Sequence, residues 1–280
     1  TDLARAPAVE SIIAPTSYTE PDPVTREVDI EAAAAQVEWG IANINADDVW
    51  DEYGVTGEGI TVANIDSGVD VTHPGLLRHY RGYRPDGSLD HDYNWLDTTG
   101  YCGGAPCDSD GHGTHTMGTM VGGDDTDHFG VAPGATWIAA NGCCTSDATL
   151  IASAEWMLAP TKVNGQDPDP ARRPHIINNS WGSRTPSNDP FLEDIQQAWM
   201  DAGIFAVWSN GNNGPECETS GSPGSRTLSY SVGAHDVDNL VAEFSSRGPG
   251  QDGSVKPDIS APGDEVRSSF PGGGFAIGSG

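Results

Sequence analysis

The sequence has few basic residues. Of its 280 residues only 13 are Lys or Arg, against 41 Asp or Glu, and the formal net charge is −28. A surface with this charge repels nucleic acid and anionic membranes, so we expect neither as a partner. We interpret the excess of carboxylates as a solvated coat that maintains solubility. The alternative, attraction of basic substrates, has no localised acidic cluster to support it.

Long apolar runs and paired CxxC motifs are also missing. No run approaches the roughly 20 apolar residues that span a bilayer, and structural zinc sites are typically built from two such cysteine pairs. The five cysteines are instead Cys102 and Cys107 around a GGAP turn, the adjacent Cys143 and Cys144, and Cys217 alone. We expect an exported protein with one or two disulfides, and the odd count leaves at least one thiol outside them.

Short apolar stretches alternate with helical ones from about residue 58 onward. The strand-like stretches are GITVANIDSG, TWIAANG, HIINNSWG, IFAVWSNGN, YSVGAHD, VAEFSSRG and DISAPG. HGTHTMGTMVG, DATLIASAEWML and PFLEDIQQAWMDAG predict helices, with Asp147 as the cap of the second. This alternation predicts an α/β fold, a doubly wound and mostly parallel sheet with helices on both faces.

Three polar stretches, IDSG, NNSWG and SNGNNG, follow predicted strands. In doubly wound sheets, binding sites form beyond the carboxyl ends of the strands, so we expect these stretches to share one site. The first forty residues are Pro-rich and lack the alternation. They predict an extension or a linker.

Asp66 and His112 are the first catalytic candidates. Asp66 ends a predicted strand, where a carboxylate often only caps the next turn. His112 lies between two glycines at the predicted start of a helix, and a helix N-terminus lowers the pKa of an imidazole, which favours the neutral form of a general base. A buried Asp bonded to the other ring nitrogen would hold the tautomer.

His115, three residues after His112, raises the alternative that the two histidines share a metal. The residues between them are Gly113 and Thr114, so the Glu that acts as a base in helical zinc motifs is missing. We therefore interpret His115 as a structural residue of the helix.

Six motifs, in the order ANIDSGVD, DGHGTHTMGT, NNSWG, SNGNNG, FSSRGP and KPDISAPG, resemble those of the subtilisin-like serine peptidases. Within that family the chain most resembles the bacillopeptidase F-like branch, through AEWMLAP followed by NNSWG and through KPDISAPG. The resemblance runs from about Val37 to Gly280. It implies the subtilisin-like fold and cleavage of peptide bonds through an Asp-His-Ser triad.

The resemblance also implies roles for single residues. Asp66 matches the aspartate of the triad, His112 its general base, and Asn212 the amide that donates to the oxyanion. The residues alone leave open that Asn212 is an ordinary residue of a turn.

Ser180, Trp181 and Gly182 match the family's edge segment, which pairs with an extended substrate as an added strand. Residues 141–145 match the opposite wall of the substrate cleft. The alternative for Ser180–Gly182, a buried strand end with no contact to substrate, stays open from the sequence.

The family's serine lies in a G-T-S-M-A motif that opens a helix. Ser279 and Gly280 resemble the residues just before that motif, so the resemblance places the nucleophile two positions beyond Gly280. We therefore expect the chain to be C-terminally incomplete and inactive alone. A truncated chain, one piece of a cleaved protein and a non-catalytic relative all stay open, and the presence of Asp66, His112 and Asn212 favours the first two.

Residues 1–36 are expected to form the tail of a propeptide or an N-terminal extension, and residues 37–280 the peptidase domain without its serine segment. LARAPAVESIIAP resembles the end of a subtilase propeptide. That resemblance implies a maturation cut between Ile13 and Val37.

The expected function is that of a secreted serine endopeptidase, made as a zymogen, that hydrolyses extended polypeptides. Its expected partners are those substrates and its own propeptide or a C-terminal fragment carrying the serine. No cofactor is expected in catalysis; the resemblance is compatible with a structural calcium ion, although no Asp-rich loop has a convincing ligand pattern. The competing hypotheses are a relative that binds peptides without cutting them and, third, a metal-dependent hydrolase.

Overall fold

The computed structural model describes residues 17–20, 26–28, 37–124 and 126–280. The strands in these ranges are β1 (Tyr18–Thr19), β2 (Arg26–Val28), β3 (Thr61–Asp66), β4 (Trp95–Asp97), β5 (Thr136–Asn141), β6 (Ile176–Asn179), β7 (Gly182–Ser183), β8 (Phe205–Ser209), β9 (Tyr230–His235), β10 (Ile259–Pro262), β11 (Val266–Phe270) and β12 (Gly274–Gly278). The α-helices are α1 (Trp39–Asn43), α2 (Ala46–Tyr53), α3 (Pro74–Leu77), α4 (His112–Val121), α5 (Asp147–Leu158) and α6 (Glu193–Asp201).

A sheet of seven parallel strands forms the centre of the molecule, in the order β10-β9-β8-β6-β3-β5-β4. From β3 the chain passes to the edge strand β4 and returns to β5, which lies between them. It then crosses to the other side of β3 and continues outward through β6, β8, β9 and β10. The crevice at such a reversal of strand order is the usual ligand site of a doubly wound sheet. The predicted fold class is confirmed, and β3 lies at the reversal.

Alternate residues of the central strands face two separate cores. Ala63 and Ile65 of β3 lie in one core with Trp199 of α6, whereas Val62 lies in a second core with Met117 of α4. Helices therefore cover both faces of the sheet, as the apolar strands predict. Full burial of side chains of this size stabilises the fold by roughly 1.5–3 kcal/mol each.

Two small antiparallel sheets flank the large one. β1 pairs with β7, and β2 pairs with β12, which also pairs with β11. β1 and β2 both fall in the first forty residues, where the sequence pattern predicts only an extension or linker. The remainder of residues 1–36 lies outside the described residues, so most of the expected propeptide tail does too.

Two local predictions are wrong. VAEFSSRG is not a strand: Val241 forms a single bridge with His235, and the chain then turns. The Ser246 amide donates to the Gly211 carbonyl at 2.9 Å and the Arg247 amide to Thr219 Oγ1 at 2.9 Å. Loops thus take the backbone groups that a neighbouring strand would need.

The cap of α5 is Ser146 and not Asp147. Ser146 Oγ accepts a hydrogen bond from the Thr149 amide at 3.2 Å, and the Thr149 side chain accepts in return from the Ser146 amide. Ser146 has the extended backbone that a capping residue requires, whereas Asp147 is already helical.

The cysteines follow the expected pattern. Cys102 is disulfide-bonded to Cys107 and Cys143 to Cys144, while Cys217 is free and exposed. Within the described part of the chain, no helix has both the length and the apolar composition needed to cross a membrane.

Helix α4 and strand β11 pack closely, and this contact fixes the helix that begins at His112. Ser268 Oγ donates to the His115 carbonyl and Ser269 Oγ to the Thr114 carbonyl, each at 2.8 Å. A Cβ at Gly118 would collide with both serine hydroxyls. Glycine at position 118 therefore allows the strand to approach the helix.

We expect Gly118→Ala to lower the free energy of unfolding by about 1–3 kcal/mol, because the added methyl group overpacks this contact. The sign is diagnostic, since Ala in a helix is otherwise favoured over Gly by about 1 kcal/mol. Urea denaturation of the full chain measures the change. Gly274→Ala is the matched control, because a Cβ there meets nothing within 4 Å. A Gly118→Ala variant as stable as the parent chain would contradict the tight α4–β11 contact.

Candidate active site

Asp66 and His112 meet at the carboxyl edge of the large sheet. Asp66 is the last residue of β3 and fully buried, and His112 is the first residue of α4 with only 9% of its surface exposed. Asp66 Oδ1 lies 2.7 Å from His112 Nδ1. This hydrogen bond fixes the orientation of the ring and leaves Nε2 for a second partner.

The Asp66 carboxylate is held by three further contacts. The Ser67 amide donates to Oδ1 at 2.8 Å and the Ser67 hydroxyl to the same atom at 3.3 Å. The Thr116 hydroxyl donates to Oδ2 at 3.3 Å. These donors satisfy the ionised form of the carboxylate and prevent it from rotating away from His112.

Glycine is required on either side of His112, because neighbouring atoms lie where a side chain would begin. A Cβ at Gly113 would collide with the Gly68 carbonyl oxygen and lie 2.9 Å from Asp66 Oδ1. Gly111 has φ of 105°, in the left-handed region, and a Cβ there would overlap the Phe270 ring. The first turn of α4 can therefore press against the end of β3.

Asp108 caps the start of α4, a role that the sequence reasoning did not identify. Its carboxylate accepts from the amides of Gly111 at 2.9 Å and Thr114 at 2.8 Å and from Ser67 Oγ at 3.0 Å. Asn64 Nδ2 donates to the Gly113 carbonyl at 3.1 Å from the β3 side. The N-cap position itself is Gly111, so the signal that could have indicated this role is the DSD run just before it, since Asp and Ser side chains readily bond to nearby backbone amides.

The electrostatic prediction for His112 is wrong. Burial lowers the pKa of His112, but Asp66, through its charge and its hydrogen bond, and then Glu20 and Asp110 raise it to about 9. The negative charges outweigh the helix N-terminus, which was expected to lower this pKa. Together these charges favour the protonated form of the His112 ring.

His115 lies one turn further along α4 than His112, which forms the dyad with Asp66, and packs against β11. Its Nε2 is 3.0 Å from the Val266 carbonyl oxygen of β11. Burial lowers the pKa of His115 to about 4, so the ring is neutral.

Two groups of three ligand-type side chains converge among the described residues, and neither contains His115. They are Glu20 with Asp66 and His112, and Glu20 with Cys143 and Cys144. Each group includes nitrogen or sulfur atoms, whereas calcium takes about six to eight oxygen ligands. Neither group fits calcium, and a structural calcium ion stays a prediction.

Asn212 lies on the wall of a cavity of about 240 Å³ next to the dyad. His112, Ser180 and Gly280 line the same cavity. A Cβ built on Gly280 would lie 3.6 Å from Asn212 Nδ2. The structure thus brings three sequence-predicted site residues from α4, the β6 end and the β8 end to one cavity, and places Gly280 beside them.

The edge segment holds an extended strand, and the occupant is the chain's own N-terminal region. Tyr18 pairs with Ser183 and Thr19 with Gly182 in antiparallel register. The Arg184 amide donates to the Ser17 carbonyl at 3.4 Å. Gly182 therefore pairs with an extended segment of this chain, and its pairing with a substrate stays a prediction.

Tyr18 and Trp181 form an aromatic contact under this strand. Tyr18 is 4% exposed; its ring lies edge-on to Trp181 at 5.9 Å and stacks on Phe191 at 4.6 Å between centroids. Trp181 itself is fully buried. In the predicted edge segment, Trp181 thus lies buried beneath the paired strand. Ser180 lines the cavity, and its Oγ accepts a hydrogen bond from Asn178 Nδ2 at 2.8 Å.

Glu20 follows β1, the strand docked on the edge segment, and its carboxyl group lies close to the dyad. One of its carboxylate oxygens lies within 4.8 Å of both an Asp66 oxygen and a His112 ring nitrogen, and Glu20 is likewise close to the Cys143 and Cys144 sulfurs. Those cysteines belong to the predicted opposite wall of the cleft, residues 141–145. Nothing in the sequence pattern pointed to Tyr18 or Glu20 as site residues.

Residues 57–278 match the family model described as the Subtilase family. The chain belongs to the Subtilase family. The resemblance inferred from the six motifs is confirmed.

Curated relatives of this subtilase include bacillopeptidase F of Bacillus subtilis (strain 168), to which it is 40% identical over 250 residues, covering 84% of this chain and 17% of that protein. It is 35% identical over 211 residues to the minor extracellular protease Vpr of the same organism, covering 73% of this chain and 24% of the relative. It is 29% identical over 263 residues to subtilisin E, also from that strain, covering 92% of this chain and 59% of the relative. The chain spans less than two thirds of each of these relatives.

We expect Asp66→Asn to lower the pKa of His112 from about 9. The substitution removes the largest of the charges that oppose burial, so desolvation of the imidazolium then has more effect. A pH titration of the ring resonances by ¹H–¹⁵N NMR measures the change, with the low pKa of His115 as an internal reference. Asp48→Asn, an exposed carboxylate of α2, is the control. An unchanged His112 titration in Asp66→Asn would contradict the assigned cause.

Proposed function

We propose that this subtilase is a serine endopeptidase that hydrolyses extended polypeptides, and that Asp66, His112 and Asn212 are its catalytic residues within this chain. The observation that carries the proposal is the 2.7 Å hydrogen bond from His112 Nδ1 to Asp66 Oδ1 at the rim of a cavity that Asn212 also lines. An oriented base, its orienting carboxylate and an amide donor around one space are the parts that acyl transfer requires.

The nucleophilic serine is proposed to lie two residues beyond Gly280, so that the chain ending there is inactive. Gly280 supports this placement because it lines the cavity together with His112 and Asn212. Ser279 is a poor alternative, since its hydroxyl donates to Asp264 Oδ1 at 2.8 Å and accepts from the Glu265 amide at 3.0 Å.

In the proposed mechanism the serine Oγ forms a bond to the carbonyl carbon of the substrate while His112 Nε2 takes its proton. Asp66 stabilises the resulting imidazolium and holds its orientation. Asn212 Nδ2 and the serine's own amide donate to the oxyanion of the tetrahedral intermediate. The carbon–nitrogen bond then breaks, His112 returns the proton to the leaving amine, and water releases the acyl group by the same steps.

Substrates are proposed to bind as an added strand along Gly182 and Ser183. The docked Tyr18–Thr19 segment supports this mode, because it pairs with that edge as an extended peptide does. Ser180 at the cavity and Trp181 beneath the strand complete the substrate-binding segment. Residues 141–145 form the opposite wall.

Residues 37–280 are proposed as the peptidase domain without its serine segment, and residues 1–36 as a propeptide tail that is cut between Ile13 and Val37. The docked strand supports a propeptide role because it fills the cleft. Secretion is proposed from the Cys102–Cys107 disulfide and from the similarity to a protein named as an extracellular protease. The chemistry uses protein groups only and needs no cofactor.

We expect a fluorophosphonate, which labels activated serines, to add no mass to the chain ending at Gly280. A chain extended through the following helix, with Tyr18→Ala to clear the cleft, should gain one adduct, because the extension supplies the serine that His112 activates. Intact mass spectrometry measures the adduct. The extended chain with His112→Ala should stay unlabelled, whereas Glu52→Gln, an exposed glutamate of α2, should label normally. An adduct on the chain ending at Gly280 would place the nucleophile elsewhere.

We expect Asn212→Ala in the extended chain to reduce kcat for a peptide substrate with little change in KM, because the amide contacts the oxyanion only after attack. In subtilisin, where this substitution type was measured, loss of the donor costs about 10²–10³ in kcat. Asn213→Ala is the matched control, since Asn213 contributes its backbone amide to Ser246 Oγ at 3.0 Å. Equal kcat values for the two variants would remove Asn212 from the mechanism.

The second candidate function is peptide binding without cleavage. The specific observation in its favour is that the edge already holds an extended segment with no participation of a nucleophile. Binding of peptides by the extended chain that survives Asp66→Ala and His112→Ala, together with no fluorophosphonate adduct, would favour this candidate.

A further inference from the structure

The docked segment Ser17–Glu20 has two anchors of different chemistry. The first is apolar: Tyr18 fills the space between Trp181 and Phe191. The second is the Glu20 carboxyl group, which lies against Asp66 and His112. Tyr18 and Thr19 also pair through their backbones with Ser183 and Gly182, and this pairing does not depend on pH.

The surroundings of the Glu20 carboxyl group are unfavourable to a second negative charge. Glu20 Oε1 is buried and has no hydrogen-bond partner among the described residues. Asp66 approaches from β3, and Asp108 and Asp110 lie in the loop before α4, so three carboxylates act on Glu20. An ionised carboxylate here would be buried, without a donor for Oε1, and repelled.

The other groups around Glu20 do not offset this repulsion. Among the described residues, His112 of α4 is the cation that acts on Glu20, and His112 is also hydrogen-bonded to Asp66. Cys143 and Cys144, on the opposite wall, are disulfide-bonded and do not titrate. On the β7 side, Gly182 and Ser183 are uncharged.

We infer that Glu20 is a proton-controlled latch: the segment Ser17–Glu20 stays in the cleft while the Glu20 carboxyl group is protonated and leaves when that group ionises. The inference deepens the proposed function, since it concerns regulation of the same cleft. It assigns to Glu20 a role that no catalytic step requires.

The electrostatics give the direction of the effect. Burial and then the charge of Asp66, with smaller contributions from Asp110 and Asp108, raise the pKa of docked Glu20 from 4.5 to about 9. A group whose pKa is raised in the docked state stabilises docking fully at pH values below its pKa in the free segment. It loses this contribution as the pH rises to its pKa in the docked state. Docking therefore weakens between about pH 4.5 and pH 9, by up to about tenfold in its equilibrium constant per pH unit for each proton taken up.

Glu20 and His112 titrate as a coupled pair. Glu20 raises the pKa of His112 only when it is ionised, so this contribution is absent while the latch is protonated. The direction of the pH dependence therefore rests on the Glu20 carboxyl group.

The test follows docking by fluorescence anisotropy in the full chain. Ser17, which is exposed, is replaced by Cys in a Cys217→Ser background and labelled with a dye whose emission does not depend on pH. Four chains are titrated from pH 5 to pH 10: this labelled parent, and the parent with Glu20→Gln, Tyr18→Ala or Glu52→Gln. Tyr18→Ala supplies the anisotropy of the released segment, and Glu52→Gln is the matched control for loss of a remote glutamate.

The parent and Glu52→Gln should pass from high anisotropy to the Tyr18→Ala value as pH rises. Glu20→Gln should keep the high value over the range, because its amide cannot ionise. Coincident curves for the parent and Glu20→Gln would overturn the latch, as would a parent that matches Tyr18→Ala at every pH.

Anisotropy needs no catalysis, so the latch and the proposed function fail separately. A pH-dependent parent with no fluorophosphonate adduct on the extended chain would contradict the peptidase and leave the latch standing. A labelled extended chain with Glu20→Gln identical to the parent would do the reverse.

Discussion

The contact between the carboxyl end of β3 and the first turn of α4 is the constraint on which the rest of the site depends. Gly113 must approach the Gly68 carbonyl and the Asp66 carboxylate more closely than any side chain permits. That approach sets the Asp66–His112 hydrogen bond, and Asp108 and Asn64 hold the helix start from its two sides. The other elements mostly maintain this contact: β11 supports α4 from behind, and the strands beside β3 carry their polar ends to the same edge.

Much of this arrangement could be predicted because it is encoded locally. A buried strand that ends in Asp66, and His112 between two glycines, follow from short stretches of sequence, as does the alternation that builds the parallel sheet. The local errors have a different origin. Ser146 caps α5 because its backbone is extended where that of Asp147 is helical, and VAEFSSRG turns because Gly211 and Thr219, distant in sequence, take its amides. Such partners are visible only in three dimensions.

The occupied cleft could not be predicted for a related reason. Thr19 and Gly182 lie in different parts of the chain, and an edge strand accepts any extended partner, so no periodicity marks the pair. The pKa of His112 shows the same limit. A helix N-terminus argues for a low value, but Asp66, Glu20 and Asp110 converge from separate elements and reverse the sign. The identity of the base was therefore accessible from sequence, while its charge state was not.

A segment tethered to the cleft that it fills raises a problem of competition. A tethered ligand acts at an effective concentration that is on the order of millimolar for short flexible linkers, so a free peptide must compete with an occupant that never diffuses away. Two events can remove it: a cut in the chain, which ends the tether, or a change that weakens docking itself. Tyr18 cannot supply the second, because its burial between Trp181 and Phe191 does not depend on pH. Glu20 can, because the carboxylates that orient His112 are the same groups that oppose its ionisation. The negative charge that makes the dyad work thus also limits how tightly an acidic segment can block it.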